Sequence, residues 1–301
     1  MPVELGDLST ETSLLRVRHN GSVIAAMLQD GRLFALDRNL DALLSVSGIA
    51  MRQLLDQHRG PEIDPVEVDL LAPAESQEVW AAGVTYLRSR DARMEESADA
   101  DLYAKVYRAD RPELFFKANG WRVVGHRGQV GVRADSAWNV PEPELCVLSN
   151  SRGEVVAYSI GNDMSSRSIE GENALYLPQA KLYDGSCSIG PAAVMAWDLD
   201  VSSARIEMRI DRDGRSVFEG RATVADLVRD PSALVAVVRS SYTLPFGAWL
   251  MTGTSIVPPP PYTATEGDVV SITIEGLGKL VNRVIEVRHS GASARPLVPA
   301  Q

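Results

Sequence analysis

Glu142 and Glu144 stand one residue apart in Pro141-Glu142-Pro143-Glu144-Leu145, and Asp163 follows in Ile160-Gly161-Asn162-Asp163-Met164. On an extended strand, residues two apart project from one face, so the two glutamates would present their carboxylates together. A third carboxylate beside them makes an all-oxygen donor set of the kind that Mg²⁺ or Mn²⁺ takes. Three like charges that close repel one another unless a cation or shared protons compensate, so convergence would itself argue for a metal. On a solvent-facing strand the same Glu-x-Glu is ordinary surface charge.

The neighbouring elements decide between these readings. Residues 145–148 and 155–160 are apolar and flank the turn Asn150-Ser151-Arg152-Gly153, which predicts a hairpin. Glu142 and Glu144 then sit at the open end of one strand and Asp163 just past the end of its neighbour. Pro143 has no N–H to donate, which suits a strand edge or mouth, and Gly161 allows a kink that would aim Asp163 back. Lys181, in Gln179-Ala180-Lys181, is the candidate amine: beside a divalent ion a lysine either loses its proton and acts as a base, or stays charged and stabilises an enolate. Lys117 ends the apolar run Leu114-Phe115-Phe116 and is the second candidate. Either lysine could instead be a solvated surface charge.

The remainder of the chain reads as mostly β, in an α+β arrangement. Asn20-Gly21 and Asp30-Gly31 supply the positive φ angles of tight hairpins, giving a small meander of about three strands near the N-terminus. Helical spacing follows at Ile49, Leu54 and Leu55, and then a Pro-marked stretch, 61–73, reads as a connection. This predicts a small N-terminal β-rich domain over 1–75 and a catalytic domain over 76–301. Within the second, Asp213-Gly214 turns one hairpin, and Val270, Ile272 and Ile274 alternate with polar residues as in a half-buried strand. Asp230-Pro231 caps a helix running through Leu234 and Val238. The charged segment 89–109 suits a lid over a site better than a core element.

Composition sets limits. The chain has 301 residues, 45% hydrophobic and 23% charged, with a net charge of -10 that disfavours nucleic acid and anionic membrane surfaces as partners. No apolar run is long enough to span a bilayer, and Met1-Pro2-Val3-Glu4 lacks the features of a secretory signal, so a cytoplasmic location is expected. Cys146 and Cys187 are too few for a disulfide scaffold and are expected to be reduced thiols.

The order of these segments resembles the fumarylacetoacetate hydrolase family. The matching pieces are Ala82-Gly83-Val84-Thr85-Tyr86, Pro112 to Lys117, the Glu-x-Glu, Ser159 to Arg167 with Gly161-Asn162-Asp163-Met164 at its centre, Lys181 with Gly190-Pro191, Gly253-Thr254, and Glu266-Gly267-Asp268 through Asn282-Arg283-Val284. The resemblance implies a mixed β-roll catalytic domain and Mg²⁺ held by Glu142, Glu144 and Asp163, with Mn²⁺ also accepted. It further implies a catalytic Lys181 and a homodimer or dimer-based tetramer. Where the family's hydrolases read Gly-x-Asn-Tyr-x-x-His, this chain reads Gly83-Val84-Thr85-Tyr86-Leu87-Arg88-Ser89. The histidine that would activate water for carbon–carbon hydrolysis is thus Ser89, and elimination becomes the better reaction class. His19, His58, His126 and His289 fall in no matching motif and are expected to be surface or packing residues.

Segments 89–97 and 165–173 resemble the sugar-acid dehydratase branch of that family. This implies that a 2-keto-3-deoxy pentonate is dehydrated to 2-oxoglutarate semialdehyde through a metal-stabilised enolate. Lys181 is the expected C3 base or enolate stabiliser, and Glu95, Glu96 or Glu170 the acid/base at C4. Thr85, Arg88, Ser89, Arg90, Lys117, Arg167 and Thr254 are the expected substrate contacts. The alternatives are an acylpyruvate hydrolase or oxaloacetate decarboxylase on the same scaffold, and a non-catalytic small-molecule binding protein.

Overall fold

In the computed structural model, residues 4–86, 105–107 and 109–288 are described. The chain opens with β1 (Ser13–His19), β2 (Ser22–Gln29) and β3 (Arg32–Leu36), then α1 (Leu40–Leu44), α2 (Gly48–Gln57), β4 (Arg59–Ile63) and β5 (Val68–Leu71). Next come β6 (Glu78–Gly83), β7 (Glu113–Asn119), β8 (Gln129–Arg133), β9 (Asn139–Val140), β10 (Pro143–Ser149), β11 (Val155–Asp163) and β12 (Ser165–Ser166). Two short helices follow, α3 (Arg167–Glu172) and α4 (Leu177–Lys181), then β13 (Cys187–Met195), β14 (Arg205–Arg212) and β15 (Arg215–Thr223). The last elements are α5 (Pro231–Arg239), β16 (Ala248–Met251), β17 (Val269–Ile274) and β18 (Gly278–Val287).

The hairpins form where the turn residues allow. Asn20 and Gly21 sit at φ 50° and 79°, and Asp30 and Gly31 at 51° and 72°, the pair of positive angles whose twist matches the flanking strands. The meander is not isolated: β1 pairs with β13, so one eleven-stranded sheet runs β4-β3-β2-β1-β13-β11-β10-β16-β6-β7, with β5 also on β1. The Pro-marked stretch 61–73 therefore holds the whole of β5 and the end of β4, where a plain connection was expected. Its prolines lie where their missing N–H does no harm: Pro61 is on β4, at the end of the sheet order, and Pro65 precedes β5.

A five-stranded sheet, β15-β14-β17-β18-β8, packs against the centre of the large one. Alternation along β10 explains the layering. Leu145 and Val147 join Ile206, Met208, Ile210, Val270, Ile272 and Ile274 of the small sheet in one core. Cys146 and Leu148 point the other way, into a core with Leu40, Leu43, Met51, Leu55 and Trp249. With both faces covered, all seven residues of β10 and all nine of β13 are buried. In α2 the buried positions are Met51 and Leu55, whereas Ile49, expected on the inner face, is 78% exposed. At the expected cap of α5, the Asp230 carboxylate accepts from Ala233 N at 2.9 Å.

Candidate metal centre

The β10–β11 hairpin fixes the acid cluster. Glu144 pairs with Gly161 and Pro143 with Asn162, and beyond the strand end Asp163 N donates to Glu142 O at 2.9 Å. Glu142 thus precedes the strand while Glu144 lies on it, on the same face as Cys146 and Leu148. Pro143 starts a central strand, not an edge one, and the first position is where a missing N–H is tolerated. Gly161 makes no kink. The register irregularity lies between Tyr158 and Ile160, and Gly161 is small because a Cβ there would meet Cys146 Sγ at 2.4 Å.

Carboxylate oxygens of Glu142, Glu144 and Asp163 come within 4.8 Å of one another, and all three residues are buried. Two oxygens on opposite sides of one Mg²⁺ stand about 4.2 Å apart, so the cluster has the size of a single-ion site. Burial, then the charges of Asp163 and Glu142, pushes the Glu144 carboxyl well above the usual carboxylate range, against the pull of Lys181 and the Gly253 N–H. A divalent cation would remove that penalty. The hard-oxygen donor set, its spacing and its strained protonation fit Mg²⁺ or Mn²⁺.

Cationic side chains hold the acids in place. Lys181, in the last turn of α4, donates to Glu142 Oε2 and Asp163 Oδ2 at 2.7 Å each and to Ser165 Oγ at 2.6 Å. Lys117 Nζ lies 2.5 Å from Asp163 Oδ1 and donates to Lys181 O at 2.6 Å and Met164 O at 3.1 Å. Arg167 opens α3, whose N-cap is Ser166, and places Nη2 2.9 Å from Glu142 Oε1 and Nη1 3.8 Å from Glu170 Oε2. Lys117 and Arg167, expected at the substrate, thus spend donors on the acids around the centre, a geometry that supports a positioning role.

Thr85 supports the segment that holds Glu144, while Thr254 bonds within its own loop. Thr85 Oγ1 donates to Thr252 O at 2.6 Å, and the following residue, Gly253, donates its N–H to Glu144 Oε2 at 2.6 Å. The Thr254 hydroxyl accepts from Ile256 N at 3.1 Å. Glu170 is buried beside Arg167. Arg88, Ser89, Arg90, Glu95 and Glu96, and nearly all of the expected 89–109 lid, lie outside the described residues. His19, His58 and His126 each stand by an acid outside the cluster, namely Glu67, Asp37 and Asp7.

Ser165, Phe115 and Gly253 fall in segments the sequence singles out, yet none of them was expected at the centre. The Phe115 ring centroid is 5.8 Å from Lys181 Nζ. Ser165 was within reach, two residues past Asp163. Phe115, on β7, and Gly253, just past the end of β16, come from distant parts of the chain, and their own segments do not show what they meet.

Residues 79–285 match the family model described as "Fumarylacetoacetate (FAA) hydrolase C-terminal". The chain belongs to the fumarylacetoacetate hydrolase family. It is 50% identical over 228 residues to the probable 2-keto-3-deoxyxylonate dehydratase of Haloferax volcanii, covering 75% of this chain and 78% of that one. It is 35% identical over 289 residues to the 2-dehydro-3-deoxy-D-arabinonate dehydratase of Saccharolobus solfataricus, covering 90% and 95%. Among solved structures, a 2-keto-3-deoxy-D-arabinonate dehydratase complexed with magnesium and 2,5-dioxopentanoate superposes with a TM-score of 0.81 at 33% identity, over 92% of this chain and 99% of that one.

Proposed function

We propose that this protein is a Mg²⁺-dependent hydro-lyase that dehydrates a 2-keto-3-deoxypentonate to 2,5-dioxopentanoate, the semialdehyde of 2-oxoglutarate. The observation that carries the reading is the buried carboxylate cluster with the Lys181 ammonium among its acids. Its similarity to two named pentonate dehydratases supports the substrate class.

Glu142, Glu144 and Asp163 would hold the ion, which when bound supplies Lewis-acid polarisation of a 2-keto acid's carbonyl and carboxylate and so acidifies the C3 protons. The protein supplies the rest. An ammonium has three donors, and the acceptors around Lys181 Nζ suit that charged form, so Lys181 stabilises the negative charge that gathers on the C2 oxygen as C3 loses its proton. Arg167 holds Glu142 and Glu170 in register, leaving Glu170 as the carboxylate for proton transfer. Counted as ionised, the four carboxylates of Glu142, Glu144, Asp163 and Glu170 face three cations, Lys117, Lys181 and Arg167. A divalent ion then leaves one net positive charge, which matches the single carboxylate of the substrate.

We also place the protein in the cytoplasm as a homodimer or dimer-based tetramer. Cys146 and Cys187 are buried free thiols, and Trp121, Leu175 and Tyr176 expose apolar surface. No helix among the described residues is long and apolar enough to cross a membrane.

The test is an assay of purified protein with Mg²⁺ on 2-keto-3-deoxypentonates and on acylpyruvates. The reading expects 2,5-dioxopentanoate and no carbon–carbon cleavage. Cleavage without dehydration would establish the hydrolase alternative, and no turnover of either class would leave a binding protein.

A further inference from the structure

We propose that Leu177 and Ala174 set the length of the substrate chain, and that the room they leave admits a six-carbon 2-keto-3-deoxy acid besides the five-carbon one; the proposal rests on the dehydratase reading above. Lys181 closes α4, Leu177 opens it, and Ala174 begins the 3₁₀ turn that runs into it. Positions i, i+3 and i+7 fall on one helix face, so Ala174, Leu177 and Lys181 form a stripe. The exposures agree, since Leu175, at 83%, and Tyr176, at 37%, turn outward between them. Along the axis Leu177 stands about 6 Å before Lys181, and Ala174 about 6 Å before Leu177. The turn is pinned at its start, where the Asn173 side chain accepts from Leu175 N at 2.9 Å.

Both residues line a cavity of about 330 Å³ that Glu170 also lines. Glu170 reaches the metal centre through Arg167, whose guanidinium meets Glu142 as well. Val106, Pro112 and Glu113 form more of the wall, and Glu113 opens β7 two residues before Phe115, whose ring centroid is 5.8 Å from Lys181 Nζ. Two separate stretches of chain therefore lead from this cavity to the centre. A keto acid held by C1 and C2 beside Lys181 directs C4 and C5 along the stripe, past Leu177 and toward Ala174.

The volume decides how far the chain can extend. A water takes about 30 Å³ of the liquid, so the cavity has the room of about eleven waters. C4, C5 and their two hydroxyls are four non-hydrogen atoms, and a sixth carbon with its hydroxyl adds two more. The small Ala174 side chain keeps that end open, and a leucine there would fill it.

The longer acid undergoes a balanced reaction. A C3 proton and the C4 hydroxyl leave together as water, and C3=C4 forms. A proton then passes from C5 to C3, giving a C4=C5 enol that gains a proton at C4 and becomes a ketone at C5. The pentonate gives an aldehyde by the same steps, because its C5 carries hydrogen where the hexonate carries C6.

The experiment measures kcat/KM of wild type and Ala174→Leu, with Mg²⁺, on a 2-keto-3-deoxypentonate and on a 2-keto-3-deoxyhexonate of the same C4 configuration, reading the 2,5-dioxo products by NMR. Wild type should turn over the hexonate within about tenfold of the pentonate, and Ala174→Leu should lower the hexonate-to-pentonate ratio by about tenfold or more. Mn²⁺ affinity by EPR titration, which a general distortion of the site would move, should stay that of wild type. A hexonate poorer than the pentonate by more than about tenfold in wild type, or a ratio in Ala174→Leu within about tenfold of the wild-type ratio, overturns the proposal. If Ala174→Leu does not fold or binds Mn²⁺ weakly, Ala174→Val is judged by the same ratio. Wild type that dehydrates neither acid and exchanges no C3 deuterium into 2-oxobutyrate in D₂O would remove the functional reading itself, an outcome distinct from failure of the chain-length proposal.

Discussion

Lys117 Nζ stands 2.5 Å from Asp163 Oδ1, while Lys181 takes the other oxygen of the same carboxylate, and Lys117 also bonds the backbone carbonyl of Lys181. One buried amine therefore fixes both a proposed metal ligand and the turn that carries the neighbouring amine.

Lys117→Met should destabilise the fold by about 3–5 kcal/mol, because it leaves one oxygen of the buried Asp163 carboxylate and two carbonyls without their amine partner. Calorimetry should show the lowered Tm, and EPR titration a weaker Mn²⁺ affinity. A variant of unchanged stability whose only defect is a raised KM would instead make Lys117 a substrate ligand.

Gly253→Ala should weaken metal binding from a distance. Gly253 adopts φ 95°, a Cβ there would meet Thr85 Oγ1 at 2.0 Å, and its N–H is the donor to Glu144. Strain and clash should cost about 1–3 kcal/mol and move that donor. Wild-type Mn²⁺ affinity in the variant would show that the Gly253 contact does not orient Glu144.

The acids were legible in the sequence because they act through local rules: two glutamates one apart at the mouth of a strand and a hairpin that returns Asp163 to the strand's start. The tight turns at Asn20-Gly21 and Asp213-Gly214, the cap at Asp230 and the alternation of β17 follow the same short-range chemistry. What escaped was non-local. Nothing near Ser13 or Leu14 announces their pairing with Val194 and Ala193, which joins the N-terminal meander to the main sheet. Nothing near Lys117 or Arg167 shows that protein carboxylates take up their donors. Ile49 kept the helical period yet faces solvent, since period alone cannot say which apolar residue meets the core.

Arg167→Lys keeps a positive charge but cannot span Glu142 and Glu170 as the guanidinium fork does. Turnover should fall about 10- to 100-fold with KM for the keto acid little changed. The opposite split, a raised KM at constant kcat, would assign Arg167 to the substrate carboxylate.

Burial pushes the Cys187 thiol up to about 12. Because the folded value lies above the unfolded one of about 8.5, its contribution to stability is complete below that pH and is lost as pH climbs toward 12. At pH 8 only about one molecule in 10⁴ would carry the thiolate, so iodoacetamide should leave native Cys187 unmodified and label it once denaturant is added. Rapid labelling of native protein would contradict the buried placement.

The central claim is that Glu142, Glu144 and Asp163 grip one divalent ion that captures a 2-keto acid. Its most direct test is Mn²⁺ EPR on wild type and on Glu142→Ala and Glu144→Ala, with and without pyruvate carrying ¹⁷O in its carboxylate and carbonyl. The account predicts one ion per chain in wild type, line broadening by labelled pyruvate, and loss of both in each variant. Stoichiometric Mn²⁺ binding retained in both variants, or turnover of wild type undiminished by EDTA, would contradict it.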